Sequence, residues 1–176
     1  MAYKRYFLAI AIALLLAFGR PFSSTAVQAT AGGGIRVITL SAAGDDIASS
    51  VAYSPDGNWL AVGTSAGVAI YDSQTLSQQR FFNTGVWVRS VAFSPDGTTI
   101  AAGLFDATAR IWSLADGQEL QVFSDHTGWV RSVAFSSDGN LLATAADDNT
   151  VRLWNAADGT LSLSIPDLTG ARVLAL

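Results

Sequence analysis

The chain contains no cysteine, a single histidine (His126), a single lysine (Lys4) and one methionine in 176 residues, and only 14% of its residues are charged. Without cysteine there is no disulfide framework, no thiolate metal site and no Cys nucleophile. With one histidine, His-rich zinc sites and paired-His motifs are excluded, and a Ser-His-Asp triad would have to recruit His126. Gly32-Gly33-Gly34 has neither the lysine nor the strand-loop-helix context of a phosphate loop and reads as a linker. The longest apolar run, Tyr6 to Phe18, is thirteen residues. That is short of the ~20 residues needed to span a bilayer core.

What the N-terminus does have is Lys4 and Arg5 ahead of that apolar run, then Gly19, Arg20, Pro21 and a small polar stretch, the three parts of an export leader. Residues 1–31 are therefore expected to be a signal peptide cleaved after Ala29 (Val27-Gln28-Ala29) or Ala31 (Ala29-Thr30-Ala31), the alternative being an N-terminal membrane anchor. Loss of this segment removes Lys4, Arg5 and Arg20, leaving seven arginines against 14 acidic residues. A mature chain near −7 without lysine argues against unspecific nucleic-acid binding, which depends on phosphate neutralisation by cations. After leader removal no permanent membrane span is expected.

The rest of the chain is periodic. Val51, Val91 and Val133 each start a Val-Ala-(Tyr/Phe)-Ser run, and Leu174 in Arg172-Val173-Leu174-Ala175-Leu176 is a weaker fourth match, at intervals of 40, 42 and 41 residues. A period of ~40–45 suits four-stranded propeller blades. Each copy runs into Ser-x-Asp-Gly (Ser54 to Gly57, Ser94 to Gly97, Ser136 to Gly139), where Asp tolerates a tight bend and Gly takes positive φ, so a hairpin follows. Second strands are expected near Trp59–Gly63, Thr99–Gly103 and Leu141–Ala145. Third strands end at Ile70-Tyr71, Ile111-Trp112 and Leu153-Trp154. More polar fourth strands, Leu76–Phe82, Glu119–Phe123 and Leu161–Ile165, form the exposed outer edges.

His126, the turn Ser136-Ser137-Asp138-Gly139 and Asp148-Asn149-Thr150-Val151-Arg152-Leu153-Trp154, with Asp106-Ala107-Thr108-Ala109-Arg110-Ile111-Trp112 in the preceding copy, resemble the WD-repeat family of β-propellers, from Ile35 to Leu176. The resemblance implies an all-β fold of four-stranded antiparallel blades. It also implies a hydrogen-bonded chain inside the third blade made of His126, Thr144, Asp148 and Trp154, read as structural. The other copies depart from it, with Thr84 and Ala102 at the His and Thr places of the second, and Gly44, Ser65 and Tyr71 at the His, Asp and Trp places of the first.

The expected layout is residues 1–31 leader, 32–46 linker plus outer strand of a closing blade (Ile35–Leu40), 47–83 blade 1, 84–125 blade 2, 126–168 blade 3 and 169–176 the first strand of a truncated blade. That is an incomplete propeller of about three blades plus an extra strand at each end, whereas propellers close with ~4–8 blades. Two readings stand: a partial chain of a larger, by analogy seven-bladed, ring, or self-association in which two chains complete a ring.

One periodic feature is not required by folding. Trp87-Val88-Arg89 and Trp129-Val130-Arg131 repeat, and Arg172 falls in step, so Arg89, Arg131 and Arg172 begin successive inner strands and would line the mouth of a channel. Arg beside Trp is the chemistry of interface hot spots, and the functional expectation is a non-catalytic scaffold, without cofactor or metal, that binds a protein or peptide there, an anionic one if the arginines are open. The bland alternative is that the arginines pair with local Asp residues and that Trp87 and Trp129 pack between blades. A different class of function is a fragment of an exported propeller enzyme, lactonase- or hydrolase-like, with its active-site residues in blades not present, or a partial gene product without independent function. Arg110 and Arg152 follow the same period on third strands and are expected to lie over apolar surface.

Overall fold

The computed structural model describes the backbone of two strands near the N-terminus and residues 47–166 in full. The chain divides into two units, residues 1–47 and residues 48–176. In the first, β1 (Thr25–Ala31) and β2 (Gly34–Leu40) pair antiparallel from Thr25 opposite Leu40 to Ala31 opposite Gly34. The expected strand at Ile35–Leu40 is present as β2, and its partner is a strand within the stretch read as leader. No apolar pattern in Thr25–Ala31 announced that strand.

The second unit holds three four-stranded antiparallel sheets, each strand next to its sequence neighbour. Blade 1 is β3 (Ser50–Tyr53), β4 (Trp59–Gly63), β5 (Gly67–Asp72) and β6 (Gln78–Asn83). Blade 2 is β7 (Val88–Phe93), β8 (Thr99–Leu104), β9 (Ala109–Ser113) and β10 (Glu119–Phe123). Blade 3 is β11 (Val130–Phe135), β12 (Leu141–Ala146), β13 (Val151–Asn155) and β14 (Leu161–Ile165). There is no helix among the described residues, and so none long and apolar enough to cross a membrane. The expected strands are found to within two or three residues: β7 and β11 start earlier, at Val88 and Val130, and β6 begins at Gln78 because Leu76 sits in a turn at φ 60°. The expected first strand of a further blade, within residues 169–176, lies outside the described residues.

The first hairpin of each blade is set by its Ser-x-Asp-Gly turn. In blade 1 the Gly57 N–H donates to Ser54 O at 2.9 Å, the Ser54 hydroxyl donates to Asp56 Oδ1 at 2.5 Å and accepts from the Trp59 N–H at 2.9 Å. The same bonds recur at Ser94 and Asp96, and at Ser136 and Asp138. Gly57, Gly97 and Gly139 take φ of +74°, +70° and +75°, a backbone state L-residues avoid. The Ser hydroxyl bond is the main reason the Asp56, Asp96 and Asp138 carboxyls lie below the usual range.

Successive blades are joined by a contact that repeats with the chain. One apolar core lies between blades 1 and 2 and a second between blades 2 and 3. Phe82 stacks on Trp112 across the first (centroids 5.5 Å apart) and Phe123 packs on Trp154 across the second (5.2 Å). Each fully buried large apolar side chain of this kind contributes ~1.5–3 kcal/mol. Near the innermost strands, the Val91 N–H donates to Ser50 Oγ and the Val133 N–H to Ser90 Oγ, both at 3.2 Å. At the outer rim Arg80 Nη2 donates to Ala115 O (3.1 Å) and Gln121 Nε2 to Ala157 O (2.7 Å). Gly63 and Gly103 leave room for the next blade: a Cβ at either would come within 2.7 or 2.8 Å of Val88 or Val130 Cγ1.

Candidate interaction surface

Two groups of side chains answer to the residues singled out from the sequence. The first lies inside blade 3. The Trp154 indole N–H donates to Thr144 Oγ1 at 2.8 Å, Thr144 Oγ1 lies 2.6 Å from His126 Nε2, and His126 Nδ1 lies 2.9 Å from Asp148 Oδ2. A neutral ring with its proton on Nδ1 satisfies every step: Thr144 O–H donates to Nε2, and Nδ1–H donates to the carboxylate. Asp148 also accepts from the N–H groups of Thr127 and Thr150 and from the Thr150 hydroxyl, at 3.0, 3.0 and 2.7 Å. Burial alone would raise its carboxyl pKa; the bonds from Thr150, His126 and Thr127 outweigh that and bring it from 3.8 to about 2. Burial drives His126 below its ordinary 6.5, against the pull of Asp148. All four side chains are consumed by one another, an arrangement suited to stability and with no nucleophile free to reach a substrate.

The corresponding places in blade 2 do different work. Thr84 donates to Val86 O at 2.6 Å, and Asp106 accepts from Thr108 and pairs with Arg110 at 2.6 Å. In blade 1 the Thr64 hydroxyl, one residue before Ser65, accepts from the N–H groups of Ala66 and Gly67 at 3.2 and 3.1 Å. Gly44 lies outside the described residues. Arg152 Nη1 approaches Asp148 Oδ2 at 3.6 Å, and its guanidinium is largely buried.

The second group lies at the start of the inner strands. Trp87 and Trp129, 40% and 45% exposed, are brought together by a third ring, Phe105, which stacks on both, on Trp87 at 5.5 Å and on Trp129 at 4.4 Å with planes only 5° apart. The β8–β9 turn of blade 2 thus inserts a phenyl ring between the tryptophans of two blades. Arg89 lies over Phe105, its Cζ 5.7 Å from the ring centroid, and Arg131 over Trp129 at 5.1 Å. Arg131 also forms a fork on Asp147, Nε to Oδ1 at 2.7 Å and Nη2 to Oδ2 at 2.6 Å. This bond depresses the Asp147 carboxyl first of all, with the charges of Arg131 and Arg89 adding to it. Beside the stack is an open depression lined by Phe105, Asp106, Ala107, Thr127, Gly128, Trp129 and Asp147. Local pairing and inter-blade stacking, the bland alternative, therefore describe Arg131 and the two tryptophans; Arg172 lies outside the described residues.

The family model for the WD domain, G-beta repeat, matches residues 34–72, 76–113 and 117–155. The chain belongs to the WD-repeat family. Each matched repeat of this WD-repeat chain begins upstream of the blade it supplies and ends with the third strand, at Asp72, Ser113 and Asn155. No curated protein matches the chain. WD-repeat domains are typically non-catalytic scaffolds that bind proteins or peptides.

Two features of this surface of the WD-repeat sheets were not singled out from the sequence. Phe105 is aperiodic, because Asp147 stands at its place in the next copy, so a search by period passes over it. Asp147 is the partner of Arg131, while the Asp148 carboxylate turns to His126. A Phe placed one blade-turn from two periodic tryptophans was the only available signal.

Proposed function

We propose that the chain is an exported WD-repeat scaffold that holds a protein or peptide segment against the surface formed by Trp87, Phe105 and Trp129 with Arg89 and Arg131. The observation that carries this reading is the pair of large indoles kept exposed at 40% and 45% in a rigid stack bridging two blades. Rigid aromatic edges offer contact area at little entropic cost, and Trp and Arg are the residues on which binding energy concentrates. Because Asp147 occupies the Arg131 fork, the surface is less an open anion clamp than an aromatic ridge with balanced charge at its flank. The partner is accordingly a segment with an apolar or aromatic anchor. The test is to pan a displayed random-peptide library on the whole chain. Selected peptides should bind the Trp87→Ala, Trp129→Ala variant at least tenfold more weakly, and equal binding refutes the site.

Export rests on the leader-like pattern of Lys4, Arg5 and the apolar run that follows. Cleavage after Ala29 or Ala31 would remove most or all of β1 and leave β2 without its present partner. Mass measurement of the N-terminus of secreted material tests it: an uncleaved chain favours the membrane anchor.

A further inference from the structure

The segment that carries Trp129 to the surface is strapped along its length to the turn that holds Asp147 and Asp148. At its buried end His126 Nδ1 lies 2.9 Å from Asp148 Oδ2, and the Thr127 N–H donates to the same oxygen at 3.0 Å. Gly128 comes so close to the turn that a Cβ there would stand 2.6 Å from Asp148 N and 2.8 Å from Asp147 C. The Asp147 N–H donates to Trp129 O at 3.0 Å, and Arg131 completes the strap with its fork on the Asp147 carboxylate. An unbroken series of bonds and close packing therefore joins the buried chain of His126, Thr144, Asp148 and Trp154 to an indole that is 45% exposed.

The other indole of the ridge is mounted differently. Trp87 leaves a segment in which Thr84 stands in step with His126 and Val86 in step with Gly128. The Thr84 hydroxyl donates within its own segment, to Val86 O at 2.6 Å, and Asp106, in step with Asp148, turns to Thr108 and Arg110. The main-chain tie is kept, the Phe105 N–H donating to Trp87 O at 3.0 Å. The close approach is not, because Val86 carries the Cβ for which Gly128 has no room. The stacks differ accordingly: Trp129 lies on Phe105 at 4.4 Å with planes 5° apart, whereas Trp87 lies at 5.5 Å and 28°.

We propose that His126, Asp148 and Gly128 are positioning residues of the ridge, which fix Trp129 flat on Phe105 before a partner arrives, while Trp87 is independent of them. Coupling of this kind travels through contiguous hydrogen bonds and packed atoms. An indole already held in its bound pose loses less freedom on binding, so the order of the blade interior is passed to the surface as affinity. The effect on affinity rests on the ridge being the binding surface; the effect on the pose of Trp129 does not.

The test uses the whole chain labelled with fluorotryptophan, whose fluorine resonances are assigned by replacing each tryptophan with Phe in turn. Phe105→Ala supplies the unstacked reference. In His126→Gln and, separately, in Gly128→Ala, the Trp129 resonance should move towards that reference while those of Trp87 and Trp112 stay in place. Gly128→Ala keeps every side chain of the buried network and carries the test if His126→Gln does not fold. Peptides panned on the wild-type chain should bind the folded variants about tenfold more weakly. A Trp129 resonance unmoved in either folded variant, an equal movement of Trp87, or peptides that need the two tryptophans yet bind both variants as tightly as the wild type would each overturn the proposal. Peptides indifferent to the Trp87→Ala, Trp129→Ala variant would instead refute the ridge as the binding surface, a failure that the resonances do not share.

Discussion

Blades 2 and 3 have the same strands, the same turns and the same third-strand tryptophan, yet they hold those tryptophans by different means. Trp154 donates its indole N–H to Thr144, which continues through His126 to Asp148. Trp112 lies on a face where Ala102 replaces that threonine, and it is 4% exposed through packing against Phe82 and the surrounding core. One blade adds a polar chain to its apolar core and the other does without. The fold therefore does not require the network. Its presence in blade 3 gives that blade an internal brace where the apolar cover is thinnest.

The largest effect expected is from Trp154→Ala, a loss of ~3–5 kcal/mol by cavity formation, measured by chemical denaturation. Trp112→Ala should cost a similar amount. A much smaller loss in blade 3 would mean that its indole is not a packing element. Next, Asp148→Ala should cost ~1–3 kcal/mol because it strands buried donors, while Asp106→Ala, which breaks a more exposed pair with Arg110, should cost ~0–1 kcal/mol. Equal costs would erase the distinction between the blades.

Acid should act on blade 3 selectively. The fold holds the Asp148 carboxyl at about 2 against an ordinary 3.8, so the stability it contributes is complete above pH 3.8 and is lost as pH falls towards 2. His126 is held below 6.5, so the fold favours its neutral ring and stability begins to fall as pH drops below 6.5. Both effects have the same sign. His126→Gln should flatten the melting midpoint between pH 6.5 and about 5, and a wild-type midpoint constant over that range would contradict the assignment. A small effect of opposite sign is expected where the two blades differ in one turn residue: Asn149 and Ala107 both adopt positive φ, +62° and +66°. Asn tolerates this state and Ala does not, so Ala107→Asn should raise stability by about 0.5–1 kcal/mol, read as a rise in melting midpoint.

Most of the sheet layout was legible in the residues because each blade carries its own punctuation. Ser-x-Asp-Gly places a hairpin by local bonds alone, so Trp59, Thr99 and Leu141 start second strands as expected. The chain through His126, Thr144, Asp148 and Trp154 was legible only by resemblance, since nothing in a threonine eighteen residues after a histidine declares a bond. The surface at Trp87 and Trp129 was visible as a repeated motif, but not its wiring: Phe105 and Asp147 take their roles from tertiary placement. Strand β1 was missed for a different reason, because its small and polar residues carry neither alternation nor a turn signal.

The glycines at 63 and 103 reach beyond packing. By letting Val88 and Val130 come close at the inner end while Phe82 and Phe123 hold the outer end apart, they give each pair of sheets a taper, and a taper repeated is a curvature. At the third such position the chain has Ala145, paired with Val151. A neighbour bringing a valine to the same place would meet that methyl, whereas the residue of this sequence in step with Val88 and Val130 is Ala171, a smaller side chain.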